Sequence, residues 1–404
     1  MFIIYLLYLL CFLVLWWGYF GYFIFLKLFV FANNTPKRIE DDIVPLPTLT
    51  ILVPCYNEEN LIEWKIENLS HLEYPRDKLE VIFLDGCSTD TTVQKIRDAI
   101  WDQPYMRVIE TGKKGKIPQV NHVLPEIQSD IIVNTDVDAE LSKDVLLEIA
   151  KEFRSDEQIG VVGAFVIPKN CCKEETQYWA TQNKARVLES QAYSSSIVIA
   201  PCFAFRRGIV TTFPDDVIAD DIYTAFEATV KGYKVVYCKN AVAFETRTPV
   251  TMKELVKHKF RKTNAYITEV LRFLYHLPKL NAFWRVIFLT RTLQVIGLAW
   301  VLLLFLLLTI SLLTMKQYEP VLWCLGTAFL SLGITHLVIG KTDVPEFGKS
   351  GGFFLSLKVF TVATYLLILA GLTYPIYRQT SSYERIKQAP NKKENGVIAD
   401  KFDA

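Results

Sequence analysis

Residues 2–26 carry no charged side chain, an apolar run of 25 positions that constrains the chain more than any other feature. A helix crossing the roughly 30 Å hydrocarbon core needs about 20 such residues, so the run predicts a membrane-spanning helix over residues 1–31. No Lys or Arg precedes it and it is longer than a signal-peptide core, so it is expected to stay in the mature protein. Lys27, Lys37 and Arg38 follow it, and the positive-inside bias then puts the next domain in the cytoplasm. Further apolar runs at 293–314, 321–339 and 359–377, each about 19 to 22 residues long, predict three more spans, four in all. Ahead of them Phe283–Arg291 mixes Phe283, Trp284 and Phe288 with Arg285 and Arg291, which predicts a separate interface helix opening a membrane region over 283–377. Four spans place the polar tail, 378–404, outside, whereas its modestly basic composition and Arg378 at its start favour the inside, so its side stays open.

Between the apolar ends, residues 32–282 show short β-branched runs alternating with amphipathic stretches, the pattern of an α/β domain with a mostly parallel sheet. The clearest strands are expected at 48–55, 79–85, 130–136 and 159–165. Three of them end on a polar or reactive residue. In open α/β sheets ligands bind beyond the carboxyl ends of the strands, so these endings point to one site. The formal net charge is +1, which excludes the basic field that draws in nucleic acid. Eight cysteines show neither Cys-x-x-Cys nor zinc-ligand spacing and read as buried reduced thiols, with the adjacent Cys171 and Cys172 a weak metal or redox signal.

The run Asn134-Thr135-Asp136-Val137-Asp138 delivers two carboxylates at a strand end. Alternate residues of extended backbone point the same way, and carboxylates suit Mg2+ or Mn2+. A lone Asp-x-Asp is more often a cap or a solvated turn, so companions decide. Asp85 closes another apolar strand, where a carboxylate is costly unless it finds donors. VPCYNEE at 53–59 offers the ring of Tyr56 for stacking, and Glu58 and Glu59 favour a helix start there. Lys113-Lys114-Gly115-Lys116 lacks Walker spacing; Lys116 is either a diphosphate ligand or part of a solvated charge run. Asp220 and Asp221 open an amphipathic stretch, one as a helix cap, the other as a general base if its site is dry.

Taken in order, these motifs resemble family 2 glycosyltransferases of the GT-A superfamily, which includes cellulose, chitin, hyaluronan and nodulation chitooligosaccharide synthases. The resemblance covers residues 46–262. It implies an α/β GT-A domain with a mixed, mostly parallel sheet, joined to transmembrane helices. It assigns Pro54, Tyr56, Glu58, Asp85, Lys116, Asp136 and Arg261 to the nucleotide, Asp136 and Asp138 to the metal (Mg2+ or Mn2+), and Asp221 to the catalytic base. Asn121, Asp220, His258 and Lys262 fall on its acceptor or secondary positions. The departure is KHKFRK at 257–262, where processive members carry Gln-x-x-Arg-Trp. Lys262 replaces the tryptophan that would stack the acceptor sugar, which puts repeated extension in doubt; His258 has an exposed helix residue as its alternative.

The implied reaction is an inverting transfer from a nucleotide-diphosphate sugar, UDP-linked in preference to GDP-linked, to a lipid or lipid-linked glycan at the cell membrane, forming a β linkage. The rivals are a processive polysaccharide synthase and a non-catalytic membrane scaffold.

Overall fold

The computed structural model describes residues 1–32, 45–340, 343–345 and 352–378. Its centre is one eight-stranded sheet built from β1 (Leu49–Cys55), β2 (Leu79–Asp85), β3 (Met106–Glu110), β4 (Ile131–Thr135), β5 (Ala139–Leu141), β6 (Ile159–Pro168), β7 (Cys202–Arg206) and β8 (Lys234–Glu245). The spatial order is β3-β2-β1-β4-β7-β6-β8-β5. The first four are mutually parallel, β7 is antiparallel to both neighbours, β6 and β8 are parallel, and β5 is antiparallel to β8. The expected mixed, mostly parallel sheet is what the chain forms.

Strand chemistry explains the layering. Leu49, Ile51, Leu52 and Val53 of β1 are all buried, as in a sheet covered on both faces. Their alternation splits the interior: Ile51 and Val53 join Val81 and Phe83 in one core, while Leu52 joins Ile82 and Leu84 in the other. The parallel half aims the ends of β1, β2 and β4 at the same edge of the sheet. There the register sets Cys55 beside Asp85, with the Asp136–Asp138 turn following β4.

Among the described residues, three helices are long and apolar enough to cross a membrane: Phe2–Ala32, Ala282–Thr314 and Phe354–Thr373. The expected span at 321–339 falls on the 22-residue helix Glu319–Gly340, of which Glu319–Thr335 is fully described and apolar. One correction follows. The expected interface helix at 283–291 is not separate; it is the first three turns of Ala282–Thr314, joined to the rest through a π turn at Leu293–Gly297. At 1.5 Å per residue that 33-residue helix is about 50 Å long, well beyond the bilayer core. Its first turns bury Trp284, Ile287 and Phe288 in the core of the α/β domain. The helix expected at 359–377 begins earlier, at Phe353, and Lys358, paired with Glu174, lies within it. Lys37, Arg38 and the tail beyond Arg378 lie outside the described residues.

Phe2–Ala32 behaves the same way. Its 31 residues contain a π turn at Trp17–Gly21, and beyond it Tyr22 and Leu26 are fully buried against Leu188 and Ala192 of the helix Lys173–Ala192. A buried carboxylate joins three elements here: Glu189 accepts from the Tyr22 hydroxyl at 2.5 Å, from Arg291 Nε at 2.7 Å and from the backbone N–H of Ser196 at 2.9 Å.

Candidate active site

The turn after β4 is built tightly. Ala139 donates its N–H to the Asp136 carbonyl at 3.2 Å, and Thr246 donates both N–H and hydroxyl to the Asp138 carbonyl, at 3.2 and 2.7 Å. Lys116 begins the helix Lys116–Val123 directly after Gly115, whose φ of +98° is a conformation that side-chain-bearing residues rarely adopt. That turn aims the ammonium between two carboxylates, 2.9 Å from Asp136 Oδ1 and 3.1 Å from Asp220 Oδ2. Lys116 is therefore not part of a solvated charge run. Burial disfavours its charge, but Asp136 and Asp220 outweigh this and hold its pKa above the ordinary lysine value.

Asp220 and Asp221 open the helix Asp220–Val230, and neither is its N-cap, which is Ala219. Asp220 is buried and accepts from Asn134 Nδ2 at 2.6 Å as well as facing Lys116. Asp221 accepts from the backbone N–H of Ala200 at 3.0 Å and from that of Ile222 at 2.8 Å. Burial, then the adjacent Asp220 charge, push its pKa up to about 6, against the pull of Lys116 and Lys262. Burial and the Asp136 charge likewise raise Asp138 to about 7, with Arg247 opposing and Glu245 and Glu58 adding to the rise.

The nucleotide-side residues lie on two interlocked loops. Pro54 is in β1, opposite Leu84 of β2. Tyr56 stands at the mouth, 39% exposed. Asn57 donates its N–H to Ser88 Oγ at 2.9 Å and accepts at its Oδ1 from the Thr89 N–H at 2.8 Å. Asp85 is buried and accepts the Ser88 N–H at 3.1 Å. The helix expected from Glu58 starts only at Ile62. Glu58 is instead buried in a bidentate pair with Arg247, a planar fork that also comes within 3.8 Å of Asp138.

On the acceptor side, Lys262 of the helix Met252–Phe273 is 3.5 Å from Glu245, and its ammonium stands 5.7 Å from the centre of the Trp179 ring. His258 is not an exposed helix residue. It is 8% exposed, and its Nε2 has no hydrogen-bond partner among the described residues; burial and the neighbouring Lys262, Lys259 and Arg261 charges keep it neutral. Arg261 is half-buried beside it. Asn121 uses its amide to bind both backbone groups of Phe213, at 2.8 Å each, so it ties down the loop that carries Phe213.

Asn134, Arg247 and Lys65 were not picked out as candidates from sequence. Lys65 alone left a signal, as a lysine on the apolar face of Ile62, Ile66 and Leu69. All eight cysteines are free thiols.

Asp136 and Asp138 fit a hard divalent cation in chemistry. They are two carboxylates in a pocket where Asp138 is crowded by further negative charge, and no third His, Cys, Asp or Glu joins them in a metal-sized cluster among the described residues. Mg2+ and Mn2+ tolerate this, since they fill the rest of an octahedron with water and substrate phosphate.

Residues 50–213 match the family described as Glycosyl transferase family 2. Beta-monoglucosyldiacylglycerol synthase of Nostoc sp. is 31% identical over 162 residues, 39% of this chain and 33% of that protein. Poly-beta-1,6-N-acetyl-D-glucosamine synthase of Staphylococcus aureus is 24% identical over 289 residues, 69% of this chain and 68% of that protein. The matched part spans only about a third to two thirds of these curated relatives' own length. Among solved structures, the mannosyltransferase PcManGT from Pyrobaculum calidifontis, in complex with GDP-Man and Mn2+, superposes with a TM-score of 0.69 at 22% identity, covering 92% of this chain and 99% of that one. The fold is the GT-A fold, and within it residues 50–213 carry the match to Glycosyl transferase family 2.

Proposed function

We propose that the protein is a membrane-embedded, inverting glycosyltransferase that moves one sugar from a nucleotide-diphosphate sugar to a hydroxyl of a lipid or lipid-linked glycan. The observation that carries the reading is the convergence of Lys116, Asp136, Asp220 and Asn134 next to Asp221, at the carboxyl edge of the parallel strands. Asp85 and Tyr56 border the nucleobase end, and a UDP-linked donor is favoured over a GDP-linked one. A divalent cation held by Asp136 and Asp138 would offset charge on the diphosphate.

Asp221 removes the proton from the acceptor hydroxyl as its oxygen bonds to the anomeric carbon. The bond from that carbon to the diphosphate breaks on the opposite side, giving a β linkage and a nucleoside diphosphate. Lys116 and Arg261 stabilise the negative charge of the leaving group. The raised pKa of Asp221 makes it a stronger base than an ordinary carboxylate while leaving it ionised at neutral pH.

Lys262 supports single transfer over polymerisation, because an ammonium offers no stacking face to a growing chain. The three long apolar helices support action at a membrane, and Lys27, directly after the first apolar run, favours the cytoplasmic side for the domain. The test is transfer by the full chain in detergent from UDP- and GDP-sugars to lipid acceptors, with product length measured. Single-sugar glycolipids dependent on Mg2+ or Mn2+ and lost with EDTA are expected. Long polymers would overturn the single-transfer reading, and full activity in EDTA would remove the metal.

A further inference from the structure

Lys65 is fully buried, on the face of the helix Ile62–Ser70 that otherwise presents Ile62, Ile66 and Leu69 to the core. An ammonium in such a place is costly unless donors and charge are both satisfied. Its Nζ donates to Thr135 Oγ1 at 3.0 Å and to the Ala139 carbonyl at 2.6 Å, the residues that immediately bracket Asp136–Asp138. One helical turn on, Asn68 exchanges two hydrogen bonds with the Leu141 backbone, both at 2.9 Å, so this one helix holds β5 at two points. Thr135 in turn donates to the Pro201 carbonyl at 2.8 Å, and the preceding residue, Ala200, supplies the N–H that holds Asp221.

We infer that Lys65 is a positioning residue: from behind the sheet edge it fixes the Asp136–Asp138 turn for a divalent cation and couples that turn to the loop that orients Asp221. Asn68 holds the backbone without bringing charge. Lys65 does both, and its positive charge lies among Asp136, Asp138 and Glu140, whose mutual repulsion would otherwise splay the turn. Neutral Met fits the apolar surroundings of this position but supplies neither the donors nor the charge.

The inference rests on the metal role proposed for these aspartates, and its test separates the two. Mn2+ binding is measured by EPR titration of the full chain in detergent, with UDP and with GDP, alongside thermal unfolding. Outer-shell partners of metal ligands typically contribute a factor of about 10 to 100 in affinity. Lys65→Met is expected to weaken Mn2+ binding by about tenfold or more, with Lys65→Arg recovering most of it. A folded Lys65→Met variant with wild-type affinity would overturn the inference. If Lys65→Met does not fold, Thr135→Val takes its place, removing one partner; weakened Mn2+ binding supports the inference and unchanged binding overturns it. A wild-type protein that binds no Mn2+ with either nucleotide would instead sink the metal role itself.

Discussion

Asp221 stands under opposing influences: burial and Asp220 favour its neutral form, Lys116 and Lys262 its charged one. As a base it must be ionised, so kcat/KM should rise with pH through about 6 and level off above it. Removing the Lys262 charge should move that acid limb to higher pH, and a Lys262→Met profile that overlays wild type would disprove the coupling. Asp221→Asn should lower turnover by about 10^2 to 10^4-fold while nucleotide binding, followed by calorimetry, stays near wild type. At this scale residue type and position at a strand end are what the sequence makes legible. Asp85, Asp136, Asp138 and Asp221 each stood out as a carboxylate at the edge of an apolar run. Arg247 did not, because its partners Glu58 and Asp138 lie more than 100 positions away and only β8 threading past β5 brings them together. For Lys116 a solvated charge stayed open as the alternative because one of its two counter-ions, Asp220, comes from the far half of the domain.

The elements follow local chemistry closely where local chemistry is strong. The expected strands at 48–55, 79–85, 130–136 and 159–165 correspond to β1, β2, β4 and β6 within a few residues, since apolar runs bounded by turn residues leave little choice. β5 escaped notice because three residues carry no periodicity; it exists through its pairing with β8. The helix Met252–Phe273, which carries His258, Arg261 and Lys262, starts with a capping box in which Thr251 accepts from the Glu254 N–H and Glu254 accepts from the Thr251 N–H. Thr251→Ala should cost about 1 kcal/mol, read as a lowered melting temperature, and should loosen the acceptor side more than the nucleotide side. Gly163 of β6 gives a sharper case: a Cβ there would meet Val198 Cγ1 at 2.6 Å. Gly163→Ala should therefore destabilise by about 1 to 3 kcal/mol, checked by the same measurement, and a neutral outcome would mean that Val198 can retreat.

Across the whole molecule, the long apolar helices and the α/β domain share buried structure. Hydropathy alone marks where an apolar run begins and ends, which is why the apolar segments were legible and the continuity of Ala282–Thr314 into the domain was not. The joint centres on Glu189, held by Tyr22 of one long helix and Arg291 of another. Glu189→Leu leaves the Arg291 charge buried without its partner and should cost about 3 to 5 kcal/mol, seen as early thermal unfolding in detergent. Replacing Arg291 together with Glu189 by apolar residues should recover part of that loss. Above the joint, Gln294, within one π turn, donates to the carbonyl of Gly18, within the other, at 2.8 Å, so the two helices cannot slip past each other by a residue without breaking the contact. The joint therefore acts as a ruler. With both helices pinned to each other and to the domain, the proposed base Asp221 would ride at a constant height over any bilayer these helices span, and the proposed acceptors would be sorted by how far their hydroxyl stands out from it as well as by its chemistry.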